Sequence, residues 1–471
     1  EEIVNTPVYD FVEKYIAARG VRAHMPGHKG IGPLRIEERD ITEIAGADVL
    51  SESEGILGES QKNAGTLFGT GATLYSTEGS SLAVKAMLYA VVMYWKRLPQ
   101  NRGKRPYILA ARNVHRAMLD GCALLDLDIE FIRSGAAQGL CSAVVEPEDV
   151  RKALEECEYL PAAVYITSPD YLGVLSDVAG IAAVCHEKGT LLAVDNAHGA
   201  YLAFLEESLH PIHLGADICC DSAHKTLIVL TGGAYLHISR DMAEALQDYA
   251  GKGLAMFGST SPSYLILQSL DLCNDYLDRR IRTELAHSIE QVQRFRRITD
   301  LAGIYVRESE PLKIVIDTGA SGYDGRVIAE EMRAGGANVN GDTRKSIECE
   351  FADSNTVVLM VGMMTSPIDW ENMRLWVRET RLRHRRKPLK PAMPVGQTPA
   401  VRRMSIREAV FADSEMIPVK KSVGRILAQE TVSCPPAIPI AVSGEEITGE
   451  MVDVFLYYGI DQIAVVKSCH I

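Results

Sequence analysis

Between residues 65 and 240, short apolar runs rich in β-branched residues alternate with longer amphipathic stretches. The runs are Tyr107-Ile108-Leu109-Ala110, Ile129-Glu130-Phe131-Ile132, Ala163-Val164-Tyr165-Ile166, Leu191 to Val194, Asp217 to Cys220 and Ala234 to Ile238. The stretches between them, such as Glu148 to Cys157 and Val178 to Lys188, carry apolar residues at helical spacing. This alternation predicts an α/β fold, a mostly parallel sheet covered by helices on both faces. In such sheets ligands sit beyond the carboxyl ends of the strands. Further on, Ser261 to Leu301 reads as long helix broken once. Lys313 to Ile316, a helix around Arg326 to Arg333, and Val357 to Val361 predict a smaller α/β domain. Four prolines and a glycine between Pro388 and Pro399 mark a linker. A chain of 471 residues is too long for one ordinary core. The divisions expected are an N-terminal arm over 1–64, a large domain over 65–300, a small α/β domain over 301–387, and a linker with a small C-terminal α+β domain over 388–471.

A net charge of −13 disfavours general nucleic-acid binding. The basic run from Arg374 to Lys390 reads as a solvated helix end entering the linker. Ten cysteines are scattered without a Cys-x-x-Cys pair, so neither a disulfide framework nor a zinc site is expected, and a reducing cytoplasm fits. The start shows no signal peptide, and the longest apolar stretch, Ala86 to Trp95, is too short to span a bilayer.

Polar residues gather where two strand-like runs end. Asp195-Asn196-Ala197-His198-Gly199 follows one run, and Asp221-Ser222-Ala223-His224-Lys225-Thr226 follows the next. A lysine among imidazole and hydroxyl groups can hold an aldehyde cofactor as a Schiff base, and a strand-end carboxylate can pair with that cofactor's ring nitrogen. Pyridoxal 5'-phosphate (PLP) needs both, and a phosphate cradle besides. Ser76-Thr77-Glu78-Gly79-Ser80-Ser81 offers one, because it opens the helical stretch Leu82 to Arg97.

Each feature has a plainer counterpart. A lone lysine after a strand usually snorkels to the surface. A lone strand-end Asp usually caps a turn. For the Ser/Thr cluster, an ordinary helix cap and a phosphate site are equally good readings. Lys225 and Asp195 together favour the cofactor, since clustered buried polar groups are costly unless they serve a ligand or one another. His115, after the run Tyr107 to Ala110, could stack on a planar ring, although a single His there is more often structural. His24 and His28 have zinc-chelating spacing, but Pro26 and Gly27 between them argue for a turn rather than a helix. Ser222-x-x-Lys225 lacks the partner motifs of penicillin-recognising hydrolases, and Gly69-x-Gly71 lacks the third glycine of a dinucleotide site.

Together, His24-Met25-Pro26-Gly27-His28-Lys29, Arg112-Asn113-Val114-His115, Asp195-Asn196-Ala197-His198-Gly199 and Ser222-Ala223-His224-Lys225 resemble the serial motifs of the Orn/Lys/Arg decarboxylase family. Ser259-Thr260-Ser261-Pro262-Ser263-Tyr264 and Pro435-Pro436-Ala437-Ile438-Pro439 extend the resemblance over nearly the whole chain, in the manner of the short bacterial members. It implies the aspartate-aminotransferase-like fold, with a mostly parallel seven-stranded sheet in the large domain, and decarboxylation of lysine, arginine or ornithine. It also implies roles: Lys225 linked to PLP, Asp195 on the ring nitrogen, His115 stacked on the ring and His198 near it. Gly79, Ser80, Ser81, Ser222 and His224 would hold the phosphate. Ser259 and Thr260 would reach a neighbouring subunit's phosphate, which implies a homodimer at least. Two positions depart from the family pattern: Asn196 stands where Glu or Ser is common, and Gly232 where Gln is common. A cationic substrate needs acidic groups, for which Asp48, Glu52, Glu54 and Glu59 are the candidates. On the same fold an aminotransferase or a Cα–Cβ lyase is the alternative. An aminotransferase would need an arginine clamp, for which Arg344 is the candidate. A non-catalytic PLP-binding protein is a further alternative.

Overall fold

The computed structural model describes residues 4–134, 141–335, 346–383, 400–429 and 438–467. Strands β1 (Ala72–Ser76), β2 (Tyr107–Ala110), β3 (Asp128–Phe131), β4 (Ala163–Thr167), β5 (Leu192–Asp195), β6 (Ile218–Asp221) and β7 (Ala234–Ile238) form one sheet in the order β1-β7-β6-β5-β4-β2-β3. Only β7 runs against its neighbours; the other pairings are parallel. Helices cover both faces, so β2, β5, β6 and β7 are buried along their whole length. This matches the long apolar runs in the sequence. β1 escapes such a reading because Thr73 and Ser76 interrupt it. Its polar groups are satisfied inside the protein: Thr73 Oγ1 meets His237 Nδ1 at 2.8 Å, and Tyr75 Oη meets Ser60 Oγ at 2.9 Å.

The expected broken helix is Tyr264–Arg279 followed by Ile281–Leu301, with the break at Arg280. Beyond it, β8 (Tyr305–Arg307), β9 (Lys313–Asp317), β10 (Phe351–Ala352) and β11 (Thr356–Met360) form an antiparallel sheet ordered β10-β11-β9-β8. β12 (Ser414–Pro418) pairs with β13 (Gln462–Val466). Arg344, the proline-rich segment 388–399 and Pro435 to Ala437 lie outside the described residues. So do the side chains of the basic run from Arg381 on. Arg374, at the start of that run, is engaged by Glu371 and Gln291. None of the eight described cysteines forms a disulfide, and no described helix is long and apolar enough to cross a membrane.

The C-terminal part reaches the large sheet through Arg112. Its guanidinium donates to the Ile440 carbonyl (3.1 Å) and to the buried Glu445 carboxylate (3.3 Å), and it lies over the Phe131 ring. Arg112 is three residues from His115, so this contact braces the loop that carries the imidazole.

A second tie joins β5 and β6. Asn196 donates to Asp221 Oδ1 at 2.6 Å, and His210 Nε2 lies 3.0 Å from Asp221 Oδ2. Asp221, His210 and His237 are fully buried. Burial pushes the Asp221 carboxyl up, but His210 and His237 outweigh it and hold the pKa well below the ordinary aspartate range. Asp221→Ala is expected to cost about 1–3 kcal/mol, because it leaves the buried Asn196 amide and His210 ring without their acceptor. A carboxylate with a depressed pKa stabilises the folded state above its unfolded pKa and loses that contribution as the pH falls. The gap between wild type and variant in denaturant unfolding should therefore be full at neutral pH and shrink below about pH 4.

Candidate active site

Strand register decides what meets. Ser76 ends β1, Asp195 ends β5 and Asp221 ends β6, all at the carboxyl edge, where Asp195 pairs with Cys220 and Thr167 with Asp195. The next residues turn out of the sheet: Ser222 leads into a single helical turn, Ala223–Thr226, which carries Lys225.

Lys225 sits in a depression densely walled by protein yet open to solvent. Among the described residues, no carboxylate lies within ion-pair distance of its amine. Nζ instead lies 3.2 Å from Nε2 of the buried His198. Loss of solvation lowers the pKa of this ammonium; Asp195 and Glu350 oppose that effect, and Lys313 adds to it. An amine that gives up its proton readily is the form that attacks an aldehyde.

Asp195 is buried and locked in orientation. Oδ2 accepts from the Tyr165 hydroxyl at 3.2 Å; Oδ1 accepts from the Ala197 amide at 3.2 Å and from the Cys220 thiol at 3.6 Å. His115 serves its backbone, as the plain reading expects: Nδ1 accepts from the Ala117 amide and caps the helix Arg116–Leu125. It also faces the site, since desolvation lowers its pKa while Asp195 opposes and Lys225 reinforces the shift. A neutral imidazole suits stacking on a flat heterocycle.

The cradle opens the 19-residue helix Gly79–Arg97, and no side chain caps that helix start. Ser76 Oγ accepts from the Glu78 amide and the Gly79 amide donates to the Gly232 carbonyl, so the later amides of the first turn are the ones that face an anion. Ser80 Oγ and Ser222 Oγ lie 2.7 Å apart, and His224 donates from Nδ1 to the Gly233 carbonyl. Ser81 is in the same first turn, and its hydroxyl has no role in capping. Ser259 and Thr260 are exposed, and the Ser259 amide donates to the Glu78 carboxylate beside the cradle. They border a cleft of about 1080 Å3 that also touches Ser76 and Thr77. Hydroxyls, an uncapped helix start, a proton-shedding lysine and an oriented carboxylate fit the phosphate, aldehyde and pyridine nitrogen of PLP.

Gly232 is part of this cradle. Its carbonyl accepts from the Gly79 amide at 2.7 Å, its φ is +101°, and an added Cβ would lie 2.8 Å from the Thr77 carbonyl oxygen. Gly232→Gln therefore forces both a left-handed backbone and a backbone clash, at about 1–3 kcal/mol. The apparent Kd for PLP is expected to rise roughly tenfold or more, read by cofactor titration of the purified variant.

The acidic candidates fare differently. Asp48 is a structural group, accepting from the amides of Gly55, Leu57 and Gly58 at the start of the helix Ile56–Phe68. Glu52, Glu54 and Glu59 are exposed. Glu350, which follows a segment outside the described residues, acts on Lys225 electrostatically and accepts from the Tyr171 hydroxyl at 3.0 Å. His24 and His28 lie in a turn and have separate partners, Tyr15 and Asp40. His210, Cys219 and Asp221 place ligand-type atoms within 4.8 Å of one another, but Asp221 already serves His210 and Asn196.

Sequence reasoning misses Tyr165, Lys313 and Glu350. A register count across β4 and β5 would have placed Tyr165, and a lysine directly before the apolar Ile314-Val315-Ile316 of β9 is itself a signal.

Comparison with known proteins gives consistent matches. The sequence model described as "Orn/Lys/Arg decarboxylase, major domain" matches residues 6–318, and its C-terminal-domain counterpart matches residues 394–461. An arginine decarboxylase of Halalkalibacterium halodurans is 27% identical, over 94% of this chain and 91% of that protein. One of Bacillus subtilis is also 27% identical, over 97% and 94%. The Escherichia coli constitutive lysine decarboxylase superposes with a TM-score of 0.74 at 16% identity, over 98% of this chain and 82% of that one. At that identity the likeness speaks for the fold.

Proposed function

The chain belongs to the Orn/Lys/Arg decarboxylase family, PLP-dependent carboxy-lyases of basic amino acids, and from that premise we propose that it decarboxylates arginine, with Lys225 as the cofactor lysine. The observation that carries the assignment of Lys225 is its setting: an amine with a lowered pKa, without a carboxylate in ion-pair reach among the described residues, on the same edge as the oriented Asp195. Arginine leads because the Halalkalibacterium halodurans and Bacillus subtilis relatives aligned over nearly the whole chain are named for it; lysine and ornithine follow.

In this reading PLP supplies the electron sink that accepts the electrons left at Cα when CO2 departs. The protein's residues do the rest. Asp195, oriented by the Tyr165 hydroxyl and the Ala197 amide, would pair with the ring nitrogen. His115 covers one ring face. The helix start at Gly79, with Ser80, Ser81, Ser222 and His224, holds the phosphate dianion. Glu350 is the acidic group available to the substrate's cationic end. Ser259 and Thr260, exposed beside the large cleft, complete a site across a homodimer. The exposed apolar residues of the N-terminal arm, Val21, Ile31 and Leu34, support such pairing.

Purified protein supplied with PLP and arginine should release CO2 and the corresponding amine in equal amounts, more readily than from lysine or ornithine. Keto acid without CO2 would replace this reading by transamination.

A further inference from the structure

His198 stands between two lysines. Its Nε2 is 3.2 Å from Lys225 Nζ, and its Nδ1 is 3.3 Å from Lys313 Nζ. A neutral imidazole has one acceptor nitrogen and one N–H, so it accepts from only one of them and donates toward the other. Burial and the nearby cations keep this ring neutral, since they push its pKa well below the usual histidine value.

The surroundings decide which lysine donates. Lys313 is fully buried at the start of β9 and has the Glu310 carboxylate at 3.5 Å, the Asp170 carbonyl at 3.5 Å and the Tyr171 ring face at 6.0 Å. Glu310 is buried too, and is fixed by the Tyr201 hydroxyl and by the Leu312 amide at 2.9 Å. Burial lowers the Lys313 pKa, and Glu310, Asp170 and Glu350 oppose that effect; because an uncompensated buried carboxylate is costly, the Glu310 pair at 3.5 Å favours the proton on Lys313. Lys225 has no such partner among the described residues. The groups that act on it are Asp195, Glu350, Lys313, Cys220, His115, His198 and His224. The Tyr171 ring, edge-on to His198 at 5.5 Å, holds the imidazole plane.

We propose that Lys313 is a positioning residue: anchored on Glu310, its ammonium donates to Nδ1 of His198 and fixes the Nε2–H tautomer, which donates to the Lys225 nitrogen. The lysine that bears the cofactor is thereby held as a hydrogen-bond acceptor, its unprotonated state, with a second cation behind the imidazole. The inference rests on the reading of Lys225 as the cofactor lysine and adds the device that prepares it.

The test uses the full-length protein loaded with PLP. Its readout is the pH midpoint of the absorbance of the lysine-linked cofactor, alongside 15N shifts of the His198 ring. Wild type should show the Nε2–H tautomer. Lys313→Met should raise the midpoint by about one pH unit, a tenfold gain in proton affinity, and mix the tautomers. Lys313→Met alone strands Glu310, so the double variant Lys313→Met/Glu310→Gln removes both charges and should shift the midpoint equally. In a His198→Phe background the Lys313 substitution should move it far less. An unchanged midpoint in the double variant, with cofactor loading and circular dichroism like wild type, overturns the inference. A wild-type protein that forms no lysine-linked band at all sinks the cofactor reading instead, and this inference with it.

Discussion

Lys225→Ala is expected to lower kcat by roughly 10⁴-fold or more and to abolish the yellow colour that PLP takes on when joined to a protein amine. Lys313, the amine on the other side of the His198 ring, is fully buried and paired with Glu310, so it is not expected to substitute. The fold should survive, because Lys225 makes no ion pair among the described residues and occupies a solvent-open position in a single helical turn. Unfolding midpoint and circular dichroism should match wild type, so the loss reads as chemistry. Retained colour, or activity within tenfold of wild type, would mean another amine carries the cofactor.

Asp195→Asn is expected to give the second-largest loss, about 10²–10³-fold in kcat, the scale on which removal of one oriented electrostatic partner is felt. The substitution keeps the side-chain shape. Tyr165 can still donate to the remaining oxygen, but the negative charge that would hold a proton on the facing ring nitrogen is gone. The change should fall on kcat far more than on KM, since the interaction matters most as charge develops in the ring. Comparable losses from Tyr165→Phe would reassign the effect to the network that orients Asp195 rather than to its charge.

Much of this architecture is legible in the residues. The apolar runs at 107–110, 163–166 and 234–238 are read because both sheet faces are covered, so burial shows as unbroken hydrophobicity. Lys225 and Asp195 stand out for the opposite reason, as polar residues ending such runs. β1 is illegible because its hydroxyls bond to His237 and Ser60, partners distant in sequence or hidden in a helix. Lys313 and Glu310 are missed because a lysine three residues after a glutamate usually marks a solvated surface, and only the packing of β9 against Tyr171 and His198 reveals a buried pair. Asp48 illustrates the reverse error: an acidic residue considered for substrate recognition proves to be engaged with four backbone amides.

The grip of Arg112 on Glu445 and the Ile440 carbonyl has a practical consequence for anyone reshaping this protein. The tail of the chain is not an appendage that can be trimmed to obtain a minimal enzyme. It braces the segment bearing His115, so on the proposed function tags, fusions or deletions that disturb its seating would be felt as altered cofactor handling.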